Sequence, residues 1–126
     1  MKTVINTNNA PAPIGPYSQA IRAGNFVFIS GQVAINPSTG ELILDDIKTE
    51  TKQVMDNINA ILIEAGIDFS YIVKTSIFLK DMQNFVQVNE VYGTYFKDNF
   101  PARETVQVAG LPKNVNVEIT VTAYTP

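Results

Sequence analysis

The sequence predicts a two-layer α+β domain in which two helices cover one face of a sheet. The chain has 126 residues, 45% of them apolar, and domains most often contain roughly 100–150 residues. Two segments repeat apolar residues at helical spacing, and short segments rich in β-branched and aromatic residues lie before, between and after them. Because each predicted helix has one apolar face, a single sheet face can bury both. We therefore expect one domain that spans residues 1–126.

The N-terminal part is predicted to be irregular at first and then to form a hairpin. Thr3–Ile5 has strand character, whereas the prolines in residues 10–16 exclude a helix or an interior strand. The segments Ser18–Ala23 and Phe26–Ser30 flank Gly24-Asn25, a dipeptide that suits a two-residue hairpin turn.

The middle of the chain is predicted to form a helix and then a strand. The helix runs from Asp46 to Ala65, and Gly66 supplies the left-handed conformation that commonly ends a helix. Its apolar stripe consists of Val54, Met55, Ile58, Ile61, Leu62 and Ala65. The segment Tyr71–Leu79 is short and rich in β-branched and aromatic residues, which favours a strand.

A second helix and two further strands complete the predicted order. Asp81 can cap this helix and Pro101 ends it. Its apolar stripe consists of Phe85, Val88, Val91, Tyr92, Tyr95 and Phe96. We expect the last strands, Arg103–Val108 and Val115–Tyr124, to pair as an antiparallel hairpin.

The alternation of side chains along the two strands fixes the expected register of that hairpin. The register that keeps the apolar residues of the last strand together places Arg103 opposite Glu118 and Thr105 opposite Asn116. We therefore expect a polar row with Arg103 and Glu118 on the sheet face that the helices leave uncovered.

The composition excludes several classes of chemistry. The chain has no Cys and no His, which excludes cysteine nucleophiles, histidine-based triads and metal sites built from these residues. The net charge is −3, and no basic cluster marks a nucleic-acid surface. No segment approaches the roughly 18 apolar residues of a membrane span. The N-terminus lacks the apolar core of a signal peptide, so we expect a cytoplasmic protein.

Arg103 and Glu118 are the first candidates for a functional site. The planar guanidinium of Arg103 can bind a carboxylate through two hydrogen bonds, and the alternative is a structural ion pair with Glu118 or Glu104. Glu118 can orient a water molecule or accept a proton. A neighbouring guanidinium would lower the pKa of its carboxyl group. The alternative for Glu118 is that it only pairs with Arg103.

Two polar clusters nearer the N-terminus supply further candidates. Ser30 and Gly31 lie at a strand end, where glycine lets another group approach the backbone closely; an ordinary turn is the alternative. Tyr17 lies beside Pro16 and fits a core aromatic with a satisfied hydroxyl. No glycine-rich phosphate motif is present, so a nucleotide cofactor has no support.

Several segments together resemble the RidA/YjgF family of enamine/imine deaminases, along nearly the whole chain. They are Ala12–Ala20, Phe28–Gln32, Asn36–Glu41, Val73–Thr75, Val88–Tyr92, Phe100–Val108, Leu111-Pro112 and Val117–Ile119. Each segment is weak evidence alone, but their order and spacing are highly specific. The resemblance implies a chorismate-mutase-like fold, with two helices on one face of a mixed sheet, assembled as a homotrimer with sites between subunits.

The resemblance also implies a reaction and a set of site residues. The reaction is hydrolysis of 2-aminoacrylate, 2-iminopropanoate or 2-iminobutanoate to a 2-oxo acid and ammonia, without a cofactor or metal. Arg103 matches the family's substrate arginine, Glu118 its water-associated glutamate and Tyr17 its pocket tyrosine. Ser30 and Gly31 match the loop that meets the substrate through its backbone. Thr105 stands where many members have Cys, and we include it among the substrate-binding residues.

Three other functions stay open from the sequence. A non-catalytic trimer could bind 2-oxo acids through Arg103, because a site that holds a product resembles one that makes it. Some relatives are described as ribonucleases or translation inhibitors, which the net charge of −3 does not favour. A structural or chaperone-like trimer is the third. We expect a small imino or 2-oxo acid as ligand, and neither a nucleic acid nor a membrane as partner.

Overall fold

The structure, a computed structural model, describes residues 1–126. In chain order its elements are β1 (Lys2–Ile5), β2 (Ala20–Ala23), β3 (Phe26–Gln32), α1 (Ile47–Glu64), β4 (Ile72–Leu79), α2 (Phe85–Gly93), β5 (Ala102–Gln107) and β6 (Val117–Tyr124). Both α-helices pack on one face of the sheet, so the two-layer α+β class is confirmed. Neither helix has the length and apolar composition that crossing a membrane requires.

The six strands form one mixed sheet in the order β1-β2-β3-β6-β4-β5. β4 and β5 are parallel, and the other neighbouring pairs are antiparallel. The predicted hairpin of the last two strands is therefore wrong, because β4 lies between β5 and β6. β6 buries every second side chain and pairs along both edges, whereas β5 has no fully buried residue and forms the sheet edge.

This strand order places Arg103 and Glu118 on opposite faces of the sheet. Arg103 pairs with Thr75, which is fully buried beneath α2, and Glu118 pairs with Phe78 on the uncovered face. Paired residues of neighbouring strands point to the same face. Thr105 follows Arg103 at the next position but one and shares its face. The predicted polar row, with Arg103 and Thr105 on the uncovered face, is therefore wrong.

The first helix agrees with its prediction. Asp46 caps α1 by accepting a hydrogen bond from the Thr49 N–H at 2.7 Å. Gly66 follows the helix with φ +79°, a conformation that glycine adopts without strain. Five residues of the predicted apolar stripe are buried against the sheet and supply most of the helical side of the core, whereas Ala65 follows the helix and is partly buried.

The second helix is shorter than predicted. Asp81 caps a single 3₁₀ turn that leads into α2, but α2 ends at Gly93. Tyr95 and Phe96 lie beyond the helix and pack against Phe69, with ring centroids 5.2 and 5.5 Å away. Packing in this aromatic cluster partly buries the Tyr95 and Phe96 side chains, so the helix does not have to extend to them.

The uncovered face carries exposed aromatic side chains as well as polar ones. Phe26 and Phe28 on β3 are 42% and 47% exposed, and the Phe26 ring lies 5.2 Å from that of Tyr124 on β6. A cluster of exposed rings is typical of a surface that another protein covers. The uncovered face is therefore more apolar than the polar row that the sequence predicted.

Candidate active site

Arg103 lies at the sheet edge against the aromatic residues of α2. Its guanidinium carbon is 5.1 Å from the ring centroid of Tyr92 and 5.8 Å from that of Phe85, within range of a cation–π attraction. Burial raises the pKa of the Tyr92 hydroxyl, which donates its proton to Thr75 Oγ1 at 2.9 Å. Tyr92 is thereby fixed to β4, and it supports the guanidinium as a rigid platform.

Arg103 has no carboxylate partner in its own chain. The ion pairs of the chain are Lys48–Glu90, Lys52–Asp56 and Lys74–Glu104. Glu104 also accepts a hydrogen bond from Ser76, and Glu118 lies on the other face. The alternative of a structural ion pair for Arg103 is therefore wrong within one protomer. A partly buried cation without a counterion is a candidate anion-binding group.

Two buried polar atoms without partners belong to α2 and β5, the two elements that position this guanidinium. Asn89 and Arg103 line one depression of about 320 Å³, and neither Asn89 Oδ1 nor Thr105 Oγ1 has a hydrogen-bond partner. Such atoms are rare in folded proteins, and a ligand is one way to satisfy them. The arginine half-site is defined here as Phe85, Asn89, Tyr92, Arg103 and Thr105.

Sequence reasoning missed Asn89. The signal was available, because Asn89 follows Phe85 by four residues and therefore shares the inward face of α2. A lone amide on an apolar helix face needs hydrogen-bond partners, and the Oδ1 atom of Asn89 has none in the chain.

Glu118 belongs to a second cluster, which forms where β6 meets a bulge in β3. The β3–β6 pairing shifts between Ile29 and Gln32, and Gly31 lies within that bulge. A Cβ atom on Gly31 would stand 2.5 Å from Glu118 Oε2. The close approach expected at Gly31 is therefore made by the Glu118 carboxyl group, and no larger residue fits without displacing it.

The carboxyl group of Glu118 is half-buried and has no ion-pair partner. Burial raises its pKa. The sequence had predicted a lowered pKa from a neighbouring guanidinium, which is wrong in the protomer because Arg103 lies on the other face. A carboxylate that is poorly solvated binds a proton more readily, so Glu118 is suited to proton transfer.

Tyr17 faces the same cavity as Glu118. A cavity of about 70 Å³ is lined by Tyr17, Gly31, Lys113 and Glu118, among others. Tyr17 is 51% exposed, and its hydroxyl accepts a hydrogen bond from the Ile14 N–H at 3.4 Å. Its hydroxyl proton is therefore free for a ligand, which differs from the core aromatic that the residues alone suggested. Lys113, at the same cavity, was not predicted.

Ser30 is held by the segment that precedes β2. Its hydroxyl donates to the Ser18 carbonyl at 2.6 Å, and its N–H donates to the Gln19 carbonyl at 2.9 Å. These bonds fix the start of the bulge and leave Gly31 as the loop residue beside the carboxyl group. A direct contact between Ser30 and a substrate stays a prediction. The glutamate half-site is defined here as Tyr17, Ser30, Gly31, Lys113 and Glu118.

The predicted site residues thus form two separate groups in one protomer. The structure brings Tyr17, Gly31 and Glu118 together at one cavity, whereas Arg103 lines a depression that contains none of them. The arginine half-site offers a guanidinium for a carboxylate, and the glutamate half-site offers proton-transfer groups.

The sequence matches a family model and curated relatives over almost its full length. Residues 7–125 match the family model described as Endoribonuclease L-PSP. A RutC family protein of Pyrococcus horikoshii is 55% identical over 98% of this chain and 98% of its own length. A protein of Mus musculus named 2-iminobutanoate/2-iminopropanoate deaminase is 48% identical over 94% of this chain and 88% of its own length.

A solved structure agrees with the fold. The crystal structure of E. coli TdcF with bound serine superposes with a TM-score of 0.94 at 38% identity, covering 98% of this chain and 99% of that one. Sequence and fold therefore agree with the resemblance carried by the motifs. The chain belongs to the Endoribonuclease L-PSP family, which is the RidA/YjgF family.

Proposed function

We propose that this protein hydrolyses small 2-imino acids to 2-oxo acids and ammonia, at sites formed between the subunits of a homotrimer. The observation that carries the proposal is the partly buried guanidinium of Arg103, which rests on two aromatic rings and has no carboxylate partner. A 2-imino acid supplies such a carboxylate next to its reactive carbon. The deaminase name of the mouse relative and the serine bound to TdcF support this class of ligand.

The placement of the half-sites supports assembly. Arg103 and Glu118 lie on opposite sheet faces, so one protomer cannot bring both to one small substrate. If the arginine half-site of one protomer meets the glutamate half-site of the next, the contact joins two different surfaces. Contacts of this type close into rings when the rotation between neighbouring subunits returns to its start, as it does after three subunits in a trimer. The exposed Phe26 and Phe28 give the uncovered face apolar area for such a contact.

In the proposed site Arg103 binds the substrate carboxylate through two parallel hydrogen bonds. Tyr92 and Phe85 hold the guanidinium in place, and the open amide and hydroxyl oxygens of Asn89 and Thr105 can accept hydrogen bonds from the substrate nitrogen or from water. The imine carbon is then fixed relative to the glutamate half-site of the neighbouring protomer. Much of the catalysis is positioning of this kind.

Glu118 moves the protons of the reaction. The oxygen of a water molecule adds to the carbon of the C=N bond while the Glu118 carboxylate takes one proton from that water and the Tyr17 hydroxyl gives its proton to the nitrogen. In the resulting carbinolamine the Glu118 carboxylic acid protonates the nitrogen, the C–N bond breaks, and ammonia leaves with its electron pair. The carbinolamine hydroxyl loses its proton to the Tyr17 oxygen and forms the C=O double bond of the 2-oxo acid.

The proposal is tested by supplying the imine as it forms. Threonine dehydratase generates the imino acid, semicarbazide captures it, and the rate of semicarbazone formation is followed by absorbance. We expect the wild-type protein to slow this capture and Arg103→Ala not to slow it. Arg22→Ala is the matched control, because Arg22 is the only other arginine and bonds to the Ala65 carbonyl, away from both half-sites. Capture that the wild-type protein leaves unchanged would contradict the proposal.

The name of the family model supplies a second candidate, an endoribonuclease. The same preparations are incubated with a labelled single-stranded RNA. We expect no cleavage above the buffer control, because the chain has a net charge of −3 and no basic cluster. Cleavage that follows the oligomer through gel filtration, combined with unchanged imine capture, would favour the nuclease. Binding of a 2-oxo acid without any imine loss would favour a non-catalytic binder.

A further inference from the structure

The side-chain amide of Gln19 joins the segment that carries Tyr17 to the rest of the fold. Gln19 is 2% exposed and is the last residue before β2. Its Oε1 accepts a hydrogen bond from the Thr7 N–H at 2.7 Å. Its Nε2 donates to the carbonyl groups of Thr7 at 3.0 Å, Ala10 at 3.3 Å and Pro11 at 2.9 Å.

The segment 11–17 depends on this amide because it has few other hydrogen bonds. Its prolines carry no N–H group, and its remaining bonds are internal, from the Tyr17 N–H to the Gly15 carbonyl and from the Ile14 N–H to the Tyr17 hydroxyl. The bond from Gln19 to the Pro11 carbonyl is the only hydrogen bond between residues 11–17 and the rest of the chain.

Gln19 also contacts the other wall of the cavity. Its carbonyl oxygen accepts the Ser30 N–H at 2.9 Å, immediately before Gly31 and its contact with Glu118. One residue therefore links the Tyr17 segment, through its side chain, and the bulge, through its backbone. The cavity between these two walls is only about 70 Å³, so a small shift of either wall changes its shape.

We propose that Gln19 is a positioning residue, whose buried amide holds the Tyr17 segment at a fixed distance from Gly31 and Glu118. The kinetic consequence of this role rests on the proposed function. Gln19 also lines this cavity, but backbone groups of Thr7, Ala10 and Pro11 occupy its amide, so it acts through Tyr17. Loss of the amide hydrogen bonds lets the segment move away from the cavity, and the Tyr17 hydroxyl then no longer meets the reacting group.

The kinetic test is a double-mutant cycle between Gln19→Met and Tyr17→Phe. Methionine keeps the length and burial of the side chain while it removes the hydrogen bonds. We expect Gln19→Met to lower kcat about tenfold, with a smaller change in KM because Arg103 still binds the carboxylate. In the Tyr17→Phe background the same change should cost no more than about twofold. Equal losses in the two backgrounds would overturn the proposal.

Two controls separate positioning from general stability. Ile61→Val makes a cavity in the core beneath α1, remote from both half-sites, and should lower the melting temperature without lowering kcat. If Gln19→Met does not fold, Gln19→Asn replaces it in the cycle, because it keeps an uncharged amide but is too short to keep all four hydrogen bonds. A kcat loss in Ile61→Val equal to that of the Gln19 variant would contradict a specific role.

An exchange measurement tests the same inference without the reaction. Hydrogen exchange of the buried Thr7 amide, whose acceptor is Gln19 Oε1, should become at least about tenfold faster in the folded Gln19→Met variant, while exchange in α1 stays unchanged. Unchanged exchange at Thr7 would overturn the positioning role even if the wild-type protein is active. An inactive wild-type protein with accelerated exchange would instead overturn the proposed function and leave the positioning role supported.

Discussion

The two half-sites are built from different kinds of structure. The arginine half-site lies on an edge strand and a helix, where aromatic rings support a cation that has no partner. The glutamate half-site lies on the central strand β6, a bulge and a proline-rich segment, where burial raises the pKa of the carboxyl group. The comparison indicates a division of labour. The first half binds charge, and the second half moves protons.

The separation of the two halves protects the chemistry of each. A guanidinium close to Glu118 in the free protomer would lower the carboxyl pKa and weaken it as a base. Within one protomer the two groups lie on opposite faces, so only assembly brings a guanidinium to Glu118. In the proposed assembly, the substrate carboxylate neutralises Arg103 at the moment when Glu118 is needed.

The largest expected effect comes from the arginine half-site. Arg103→Lys keeps the charge but loses the planar fork, so we expect kcat/KM to fall about 100-fold, mainly through KM. Arg103→Ala should lose about 1000-fold. Steady-state kinetics in the coupled assay measure both, and Arg22→Lys is the matched control. Equal KM values for the wild-type protein and Arg103→Lys would contradict the role of the fork.

The next largest effect is expected in the glutamate half-site, where the change is in kcat and not in KM. Glu118→Gln keeps the shape of the side chain but cannot take a proton from water, so kcat should fall about 100-fold. KM should change little, because the carboxylate anchor is intact. A Glu118→Gln variant that raises KM and keeps kcat would show that the proposed division between binding and proton transfer is wrong.

A smaller effect is expected where the backbone meets the carboxyl group. Gly31→Ala places a Cβ atom 2.5 Å from Glu118 Oε2, so the carboxyl group must move and kcat should fall about tenfold. Gly110→Ala is the matched control, since an added Cβ there meets nothing within 4 Å. Activity and melting temperature are measured for both variants. Full activity in Gly31→Ala would mean that the position of Glu118 is not critical.

The smallest effect concerns stability and pH. Within one protomer, burial raises the folded-state pKa of Glu118 above its unfolded value, so the folded protomer loses stability as the pH rises from the unfolded pKa to the folded pKa. Glu118→Gln removes this loss and should raise the melting temperature by about 1–3 °C at pH 8. No gain is expected at pH 4, below both pKa values. A gain at pH 4 that equals the gain at pH 8 would contradict the assigned cause.

The sequence predicted local structure better than long-range pairing. The spacing of the apolar residues and the flanking Asp46 and Gly66 define α1 to within a residue, because helix hydrogen bonds are local. The last two strands are also close in sequence, and a hairpin was the economical expectation. The two strands do not pair with each other, because β4 lies between them and pairs with one strand along each of its edges. No local pattern carries that information.

The residues of the candidate site were predicted more completely than their arrangement. Arg103, Glu118, Tyr17 and Gly31 were identified from residue chemistry and motif resemblance, and three of them meet at one cavity. The predicted placement of Arg103 opposite Glu118 was wrong because it followed from the wrong pairing of the last two strands. Asn89 was missed because a polar residue in a helix is usually solvated, although its spacing from Phe85 already placed it on the inward face of α2.

The central claim is that each site takes its arginine from one protomer and its glutamate from another, and subunit complementation tests it most directly. Arg103→Ala and Glu118→Gln, each inactive alone, are unfolded together in equal amounts and refolded. At random mixing, half of the arginine half-sites and half of the glutamate half-sites are intact, so about a quarter of the shared sites should be complete. The account predicts recovery to about a quarter of wild-type activity. Activity no higher than that of the separate variants, in oligomers that contain both chains, would contradict it.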